Sequence, residues 1–169
     1  SLGVASKNGL LFKGAKFVDA LRGGDTVMFD KTGTLTTGEF HVSAVTTAPG
    51  IDADSVVRLA AALDSQSQHP LAKAIVREAG RRGLSTVTAT GVKTIPHGIT
   101  GTVDGDTVIL GSPSLMAAME IATPKSDSDA SEICVARNGK FLGTIFLLDT
   151  VKPEAAEAIR LLHREGVRN

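Results

Sequence analysis

Hydrophobic positions in the middle of the chain follow two periods, one helical and one extended. In "SVVRLAAAL" and "PLAKAIVREAGRRG" apolar residues recur every three to four positions, which predicts two helices. Asp52 or Asp54 can cap the first helix, and Pro70 lies in the first turn of the second, where a missing N–H costs nothing. A shorter helix is predicted within "GSPSLMAAMEI".

Short runs rich in β-branched residues fill most of the remaining region and predict a mostly antiparallel sheet. These runs are "HVSAVTT", "STVTAT", "ITGTV", "TVILG", "EICVARN" and "KFLGTIFLL". Asp104-Gly105 and Asn138-Gly139 favour type I′ hairpin turns, because both central residues of that turn need a positive φ. We expect the helices to lie on one face of this sheet.

The two flanks of this region have the pattern of an α/β domain. "TVMFD" predicts a short buried strand that ends at Asp30, and "DTVKPEAAEAIRLLHREG" predicts a strand end at Asp149 followed by a helix. Two such strand ends on either side of an antiparallel segment indicate an α/β domain with an inserted α+β domain. The predicted boundaries are a stem and first α/β part over 1–40, the insert over 41–147 and a return segment over 148–169.

Composition excludes several classes of function. The 169 residues include 18 basic and 18 acidic side chains and no Trp or Tyr, so neither net charge nor base-stacking rings favour nucleic acid as a partner. A single cysteine excludes an internal disulfide. No apolar run approaches the ~20 residues of a membrane span, and the first residues lack the apolar segment of a signal peptide.

The stretch "DKTGTLT" carries the candidate chemistry. A carboxylate at the end of a strand in an open α/β sheet lies where such sheets place reactive groups, and it can attack a phosphoryl group. The residues after Asp30 suit that reaction, because Lys31 can neutralise phosphate charge, Thr32 offers a hydroxyl, and Gly33 permits close approach of the backbone.

This stretch resembles the phosphorylation motif of P-type ATPases, ion pumps with a haloacid-dehalogenase-like catalytic domain. The resemblance implies that Asp30 accepts the γ-phosphoryl of ATP, with Lys31 and Thr32 beside it. It also implies Mg²⁺ held by the Asp30 carboxylate and the Thr32 carbonyl. Related phosphatases have a second Asp at the position of Thr32 that acts as acid and base. A hydroxyl is poor at that task, which favours a longer-lived aspartyl phosphate.

"AALDSQSQHPLAKAI" resembles the His-Pro motif of the heavy-metal-transporting branch of these pumps. The matching residues are Asp64, Ser67, His69 and Pro70. The resemblance implies that His69 packs against or orients the adenine and that the acidic residue meets the adenine amino group. The family favours Glu at the position of Asp64, so the side chain here is one methylene shorter.

"IPHGITGTVDGDTVILGSPSLM" resembles the glycine loop of the same branch. The resemblance places Gly98, Ile99, Gly111 and Ser112 at the nucleotide. Pro96 stands at the first glycine position, and Ser112 stands where Asn is common. Proline fixes φ and removes an N–H donor. Because a lost contact of ~1.4 kcal/mol lowers affinity about tenfold, we expect weaker ATP binding or a rebuilt loop.

The resemblance covers essentially the whole chain, from a stem over Asn8–Leu21 to a hinge over Leu147–Ala155 that brings Asp149 and Lys152 near Asp30. It implies ATP, the actuator domain, the transmembrane helices and the rest of the phosphorylation domain as partners. The whole protein is expected in the cell membrane, with this part on the cytoplasmic side. Self-association through the incomplete phosphorylation domain is a further expectation.

Two other functions stay open at this point: a nucleotide-binding module without catalysis, and a haloacid-dehalogenase-like phosphatase. Thr32 and the His69-Pro70 motif argue against the phosphatase. The transported metal is not specified by the sequence, since copper, zinc, cadmium, lead and cobalt pumps all belong to this branch.

Overall fold

The structure is a computed structural model that describes residues 7, 9–11, 13, 14, 16, 17, 24–85 and 87–168. The stem predicted over Asn8–Leu21 therefore lies partly outside the described residues, as does Thr86 of the predicted strand "STVTAT". Contacts divide the chain into two units, an inserted unit (Thr37–Thr150) and a flanking unit (Ser1–Thr36 with Val151–Asn169). Each unit is described below by itself.

Within the described residues, six strands and four α-helices have defined bounds, in addition to a π-helical turn at Lys31–Leu35. The strands are β1 (Thr36–Thr47), β2 (Thr90–Ile95), β3 (Gly98–Val103), β4 (Asp106–Gly111), β5 (Ser131–Arg137) and β6 (Lys140–Val151). The helices are α1 (Ala53–Asp64), α2 (Pro70–Arg81), α3 (Pro113–Ala118) and α4 (Ala155–Arg164). None of the helices in the described part of the chain has the length and hydropathy needed to cross a membrane.

The strands form one sheet in the order β1-β6-β5-β4-β3-β2, with antiparallel pairing from β2 through β6. Both predicted hairpin turns are confirmed: Asp104 and Gly105 have φ of 51° and 87°, and Asn138 and Gly139 have φ of 49° and 73°. The mostly antiparallel sheet predicted from the β-branched runs is therefore present.

The core lies on both faces of the sheet, which corrects the prediction that the helices share one face. Helices α1 and α2 pack on the face that contains Val108, Leu110 and Val135. Helix α3 packs on the opposite face, against Ile109 and buried residues of β5. The reason is the period of a strand, since neighbouring residues such as Ile109 and Leu110 point to opposite faces and both are apolar here.

The predicted strand "TVMFD" is wrong for this structure. Residues 24–30 have no regular structure, and Met28 is 94% exposed. A strand needs a neighbouring strand to satisfy its backbone groups, and among the described residues no strand pairs with residues 26–30. The Arg168 N–H donates to the Asp25 carbonyl at 3.0 Å, just before this segment. The predicted strand "STVTAT" is also wrong over most of its length, because β2 begins only at Thr90.

In the flanking unit, the predicted helix after Asp149 is confirmed as α4. It begins two residues after Pro153, and Gly166 follows its end with a φ of 94°. Among the described residues of this unit, Thr36 and Ala155 are the buried ones. The described residues of this unit therefore contain no extensive apolar core.

Candidate functional site

A cavity of about 470 Å³ lies in the inserted unit between the helix pair and the sheet. Its wall includes six of the eight residues that the resemblance places at the nucleotide, from three separate stretches of sequence: Asp64, Ser67, His69, Gly98, Ile99 and Gly111. Their convergence follows from the fold, because the end of α1, the start of α2 and the neighbouring ends of β3 and β4 meet at this point.

Asp64 is the buried acid of this cavity. It is the last residue of α1, and its relative exposure is 9%. No hydrogen bond or ion pair joins its carboxyl to another side chain or backbone group within the described residues. Burial raises the pKa of Asp64 to about 6, because the charged form loses its hydration. A buried acid with a strongly raised pKa in a cleft marks a candidate functional group.

His69 combines a structural role with its place on the cavity wall. It caps α2, and its Nδ1 accepts a hydrogen bond from the Leu71 backbone N–H at 3.2 Å. Nδ1 must be unprotonated to accept this bond, so the neutral ring carries its proton on Nε2. The imidazole is therefore oriented by its own helix and exposed at the cavity.

Pro96 and His97 form the two-residue turn between β2 and β3. Proline suits the first central position of such a turn, and His97 takes the positive φ of 64° that a glycine would otherwise supply. The His97 carbonyl accepts a hydrogen bond from the Ser112 N–H at 3.0 Å, which ties the turn to the end of β4. His97 also lies on the cavity wall.

Gly98 and Gly111 are paired across β3 and β4, and the space beside them is occupied by protein. A Cβ built on Gly98 would lie 2.2 Å from the Leu110 carbonyl oxygen and 2.4 Å from Leu115 Cδ2. A Cβ on Gly111 would lie 2.4 Å from the same Leu115 atom and 2.5 Å from the His97 carbonyl oxygen. Both glycines are thus required for the packing of α3 on the sheet, a role that the sequence did not reveal.

Pro70 and Ser112 do not lie on the cavity wall. Pro70 is the first residue of α2. The Ser112 hydroxyl caps α3, accepting from the Leu115 N–H at 3.2 Å, and shares a 2.7 Å hydrogen bond with the Ser114 hydroxyl. In this structure Pro70 is thus the first residue of one helix, and Ser112 is the N-cap that precedes another.

Most of the remaining wall is aliphatic and was not singled out from the sequence. Leu71 and Ile75 belong to the apolar face predicted for α2, so their positions could have been anticipated. Leu110 and Ile133 come from β4 and β5, and only the sheet register shows that they reach the same cavity. The cavity is therefore mostly apolar with a few polar groups, which is typical of sites that bind small molecules.

In the flanking unit, Asp30 is exposed and precedes a tight turn. Thr36 closes this turn, because its hydroxyl donates to the Lys31 carbonyl at 2.9 Å and accepts from the Gly33 N–H at 3.2 Å. Gly33 has a φ of 80°, which explains why glycine stands there. Thr32 has an extended conformation within the turn.

Lys152 also contacts this turn. Its ammonium group donates to the Gly33 carbonyl at 2.9 Å, and its backbone N–H donates to the Leu35 carbonyl at 2.9 Å. Asp149 belongs to the inserted unit, where its carboxylate accepts from the Gly38 N–H at 3.0 Å. The structure thus brings Lys152 to the turn that follows Asp30.

Comparison with known proteins identifies the family. The chain matches the family of haloacid dehalogenase-like hydrolases over residues 25–169. The chain belongs to this family. Its similarity to curated members extends over nearly its whole length. The copper-exporting P-type ATPase of Mycobacterium tuberculosis is 39% identical over 98% of this chain, and the zinc-transporting ATPase of Synechocystis sp. is 38% identical over 98%. The chain spans only 22% and 23% of the lengths of these two relatives.

Solved structures of the same family branch agree with the sequence relatives. A zinc-transporting PIB-type ATPase in its E2.Pi state is similar over 99% of this chain and 28% of its own, with a TM-score of 0.72 and 35% identity. The N-domain of a copper-transporting P-type ATPase is similar over 62% of this chain and 97% of its own, with a TM-score of 0.53 and 30% identity. The predicted resemblance to heavy-metal-transporting P-type ATPases and the predicted fold class are confirmed.

Proposed function

We propose that this chain is the ATP-binding and phosphate-accepting part of a heavy-metal-transporting P-type ATPase. One observation carries the proposal: six residues predicted from two separate motifs to bind nucleotide lie around one apolar cavity. The inserted unit is the nucleotide-binding domain, and the flanking unit is part of the phosphorylation domain. ATP is the substrate and Asp30 is the acceptor.

The cavity suits the adenine base. Its aliphatic wall can cover the faces of a planar heterocycle, His69 can stack on it or direct Nε2–H towards it, and Asp64 can meet its polar edge. A second, more polar cavity of about 420 Å³ shares Ser67, Thr94 and Ile99 with the first. We assign the ribose to this neighbouring space, because its wall offers hydroxyl and amide groups.

The reaction is transfer of the γ-phosphoryl group to Asp30. A carboxylate oxygen of Asp30 forms a bond to the γ-phosphorus, the bond from that phosphorus to the β–γ bridging oxygen breaks, and ADP leaves with the electron pair. Lys31 and Lys152 place positive charge around the turn and stabilise the charge on the phosphoryl oxygens. Thr32 offers no effective base for hydrolysis, so the aspartyl phosphate persists.

Mg²⁺ is the metal implied for this reaction, and the residues present fit it. The Asp30 carboxylate and the Thr32 carbonyl are hard oxygen donors, which Mg²⁺ prefers. The described residues contain no cluster of three or more His, Cys, Asp or Glu that would hold a metal by themselves. A site with one carboxylate suits an ion that arrives with the nucleotide and keeps several waters. When bound, Mg²⁺ neutralises phosphate charge.

The other domains of the pump are the proposed partners: the actuator, the transmembrane helices and the rest of the phosphorylation domain. The whole protein then lies in the cell membrane with this part on the cytoplasmic side. Twelve large apolar side chains in the described residues are exposed, including Leu11, Met28 and Val151 of the flanking unit. We propose that the remaining domains cover this apolar surface, and that isolated copies self-associate through it.

NMR titration with ATP, with and without Mg²⁺, tests this function. We expect amide shifts centred on Asp64, His69, Gly98 and Ile99, and Mg²⁺-dependent shifts at 30–34. His69→Gln should weaken ATP binding on the order of tenfold through loss of one contact of ~1.4 kcal/mol. His41→Gln is the matched control, because His41 lies outside the cavity wall. Absence of shifts around His69 at millimolar ATP would overturn the proposal.

Phosphorylation separates the pump function from a binding module without catalysis. With γ-labelled ATP and Mg²⁺, acid-stable and hydroxylamine-sensitive label should enter the chain, and Asp30→Asn should abolish it. Nucleotide binding without label at Asp30 would support the binding module for this chain. Hydrolysis of a generic phosphate ester in the absence of ATP would instead support the phosphatase.

A further inference from the structure

Asp64 is a nine-tenths buried residue on the wall of the cavity, and its carboxyl has no hydrogen-bond or ion-pair partner among the described residues. A buried carboxylate without a hydrogen-bond donor is costly, so buried acids are normally paired or neutral. Within the described residues no cation or N–H group contacts it. Among the described residues no fully enclosed side-chain oxygen lacks a partner, so the Asp64 oxygens are open to the cavity, where solvent or a ligand can meet them.

The edge of adenine offers two different groups side by side. The N6 amino group is a hydrogen-bond donor, and the neighbouring ring nitrogen N1 is an acceptor. An ionised carboxylate only accepts, so it can satisfy N6–H but would face the lone pair of N1 with a second negative oxygen. A protonated carboxyl both accepts and donates, and it matches both groups at once.

We propose that Asp64 binds the base in its protonated form, with its carbonyl oxygen accepting from N6–H and its hydroxyl donating to N1. This inference rests on the proposed nucleotide-binding function and assigns a protonation state to its acidic residue. Burial raises the pKa of Asp64 to about 6, so the protonated form is accessible near neutral pH before any ligand binds. Two hydrogen bonds to an N1 acceptor and an N6 donor would stabilise that form further.

Two other titratable groups share the cavity with Asp64. His69 lies at the start of α2, and His97 lies in the turn between β2 and β3. The parts of β3, β4 and β5 on the wall supply only uncharged residues: Gly98, Ile99, Leu110, Gly111 and Ile133. Because these two side chains are also ionisable, pH dependence alone cannot be assigned to the acid, and a variant of Asp64 is needed.

The change in adenosine affinity caused by Asp64→Asn distinguishes a protonated acid from a carboxylate. An Asn amide has one acceptor and one donor group, so it mimics the protonated carboxyl at every pH. If Asp64 acts as a neutral acid, the variant keeps both hydrogen bonds and binds at pH 7.5 at least as tightly as the wild type. If it acts as a carboxylate, the variant loses a charge-assisted hydrogen bond and binds more weakly.

The experiment is a titration with adenosine, which has no phosphate to titrate, followed by amide NMR shifts at pH 5.5 and 7.5. We expect the wild type to bind adenosine on the order of tenfold more weakly at pH 7.5, since each pH unit above the pKa lowers the protonated fraction up to tenfold. Asp64→Asn should bind equally at both pH values. Guanosine is the matched ligand, because its N1–H and N2–H donors suit an ionised carboxylate and its affinity should not fall.

A direct readout on the wild type covers the case in which the variant does not fold. The carboxyl carbon shift of Asp64 should report a higher pKa with saturating adenosine than without it. If adenosine lowers the pKa of Asp64, or if Asp64→Asn binds adenosine more weakly than the wild type at both pH values, Asp64 does not bind in its protonated form. The nucleotide site itself would still stand. If the affinity of Asp64→Asn for adenosine also falls as the pH rises, the pH dependence comes from the histidines and not from Asp64. Absence of adenosine and ATP binding at both pH values would instead overturn the proposed function.

Discussion

Each end of the helix pair α1–α2 contains a buried acid, and the two acids differ in their hydrogen-bond partners. At one end, Glu78 is 8% exposed and accepts hydrogen bonds from Arg81 and Arg82, and Arg82 also pairs with Asp54 of α1 at 2.8 Å. At the other end, Asp64 is 9% exposed and has no such partner in the described part of the chain.

The pKa values of the two acids record this difference. Hydrogen bonds from Arg81, together with those from Arg82 and the charges of both, lower the pKa of Glu78 to about 2 against the effect of burial. Burial alone raises the pKa of Asp64 to about 6. Two acids of similar exposure thus belong to an ion-pair network at one end of the helix pair and to the wall of an open cavity at the other. The partners of a buried acid, rather than its burial, distinguish the two roles.

A packing change at the cavity end should have the largest effect. Gly98→Ala places a Cβ 2.2 Å from the Leu110 carbonyl oxygen, so β3, β4 or α3 must shift, and we expect a loss of about 3 kcal/mol in the free energy of unfolding. Gly80→Ala at the other end is the matched control, because its Cβ meets open space within α2 and should stabilise by about 0.5–1 kcal/mol. Urea unfolding measures both, and equal stabilities would contradict the packing argument.

Removing the charge of Glu78 should destabilise the fold and leave adenosine affinity unchanged. Glu78→Gln replaces one carboxylate oxygen with a donor that faces arginine N–H groups. We expect the free energy of unfolding to fall by about 2 kcal/mol at pH 7. This is less than the pKa shift alone would give, because Arg81 is mostly exposed and solvent screens its charge. Since the pKa of Glu78 is lowered, its contribution is present above about pH 4.5 and is lost as the pH falls towards 2. A stability difference that stayed constant between pH 7 and 3 would contradict this.

Asp64→Asn should stabilise the fold, with the opposite dependence on pH. The folded state holds the proton of Asp64 more tightly than the unfolded state, so wild-type stability falls as the pH rises from about 4 to about 6 and is level above that range. The variant should therefore match the wild type near pH 4 and exceed it by about 2 kcal/mol at pH 8. Thermal unfolding across pH 4 to 8 measures the difference, and a destabilised variant at pH 8 would mean that the carboxylate has a partner.

The smallest effect is expected where the ion pair is exposed. The Asp54 side chain is 52% exposed, so Asp54→Asn should lower the free energy of unfolding by less than about 1 kcal/mol. In high salt this difference from the wild type should disappear, because salt screens the ion pair. A larger loss would mean that the ion-pair network at this end is cooperative and includes the exposed member.

Local signals in the sequence were sufficient for much of the inserted unit. The hairpin dipeptides, an Asp cap for α1 and the apolar face of α2 depend on residues within a few positions of each other, and the structure contains each of them, with Asp52 rather than Asp54 as the cap. The candidate cavity was anticipated because the resemblance supplied two motifs that the fold brings together.

What could not be predicted depends on distant residues. Residues 26–30 are apolar enough for a strand, but a strand also needs a neighbour, and the described residues provide none. The contact of Arg82 with Asp54 depends on how two helices pack, and the requirement for Gly98 depends on where Leu115 of α3 lies. None of these can be read from periodicity.

The hydrogen bond from the Leu71 N–H to His69 has an entropic consequence. A free histidine loses rotamer freedom when a ligand orders it, at a cost of about 0.5–1.5 kcal/mol for an immobilised side chain. The ring of His69 is already restrained by the first turn of α2. For the proposed nucleotide site, most of that ordering cost would therefore be incurred when the chain folds, which leaves the contact energy of the ring available for affinity.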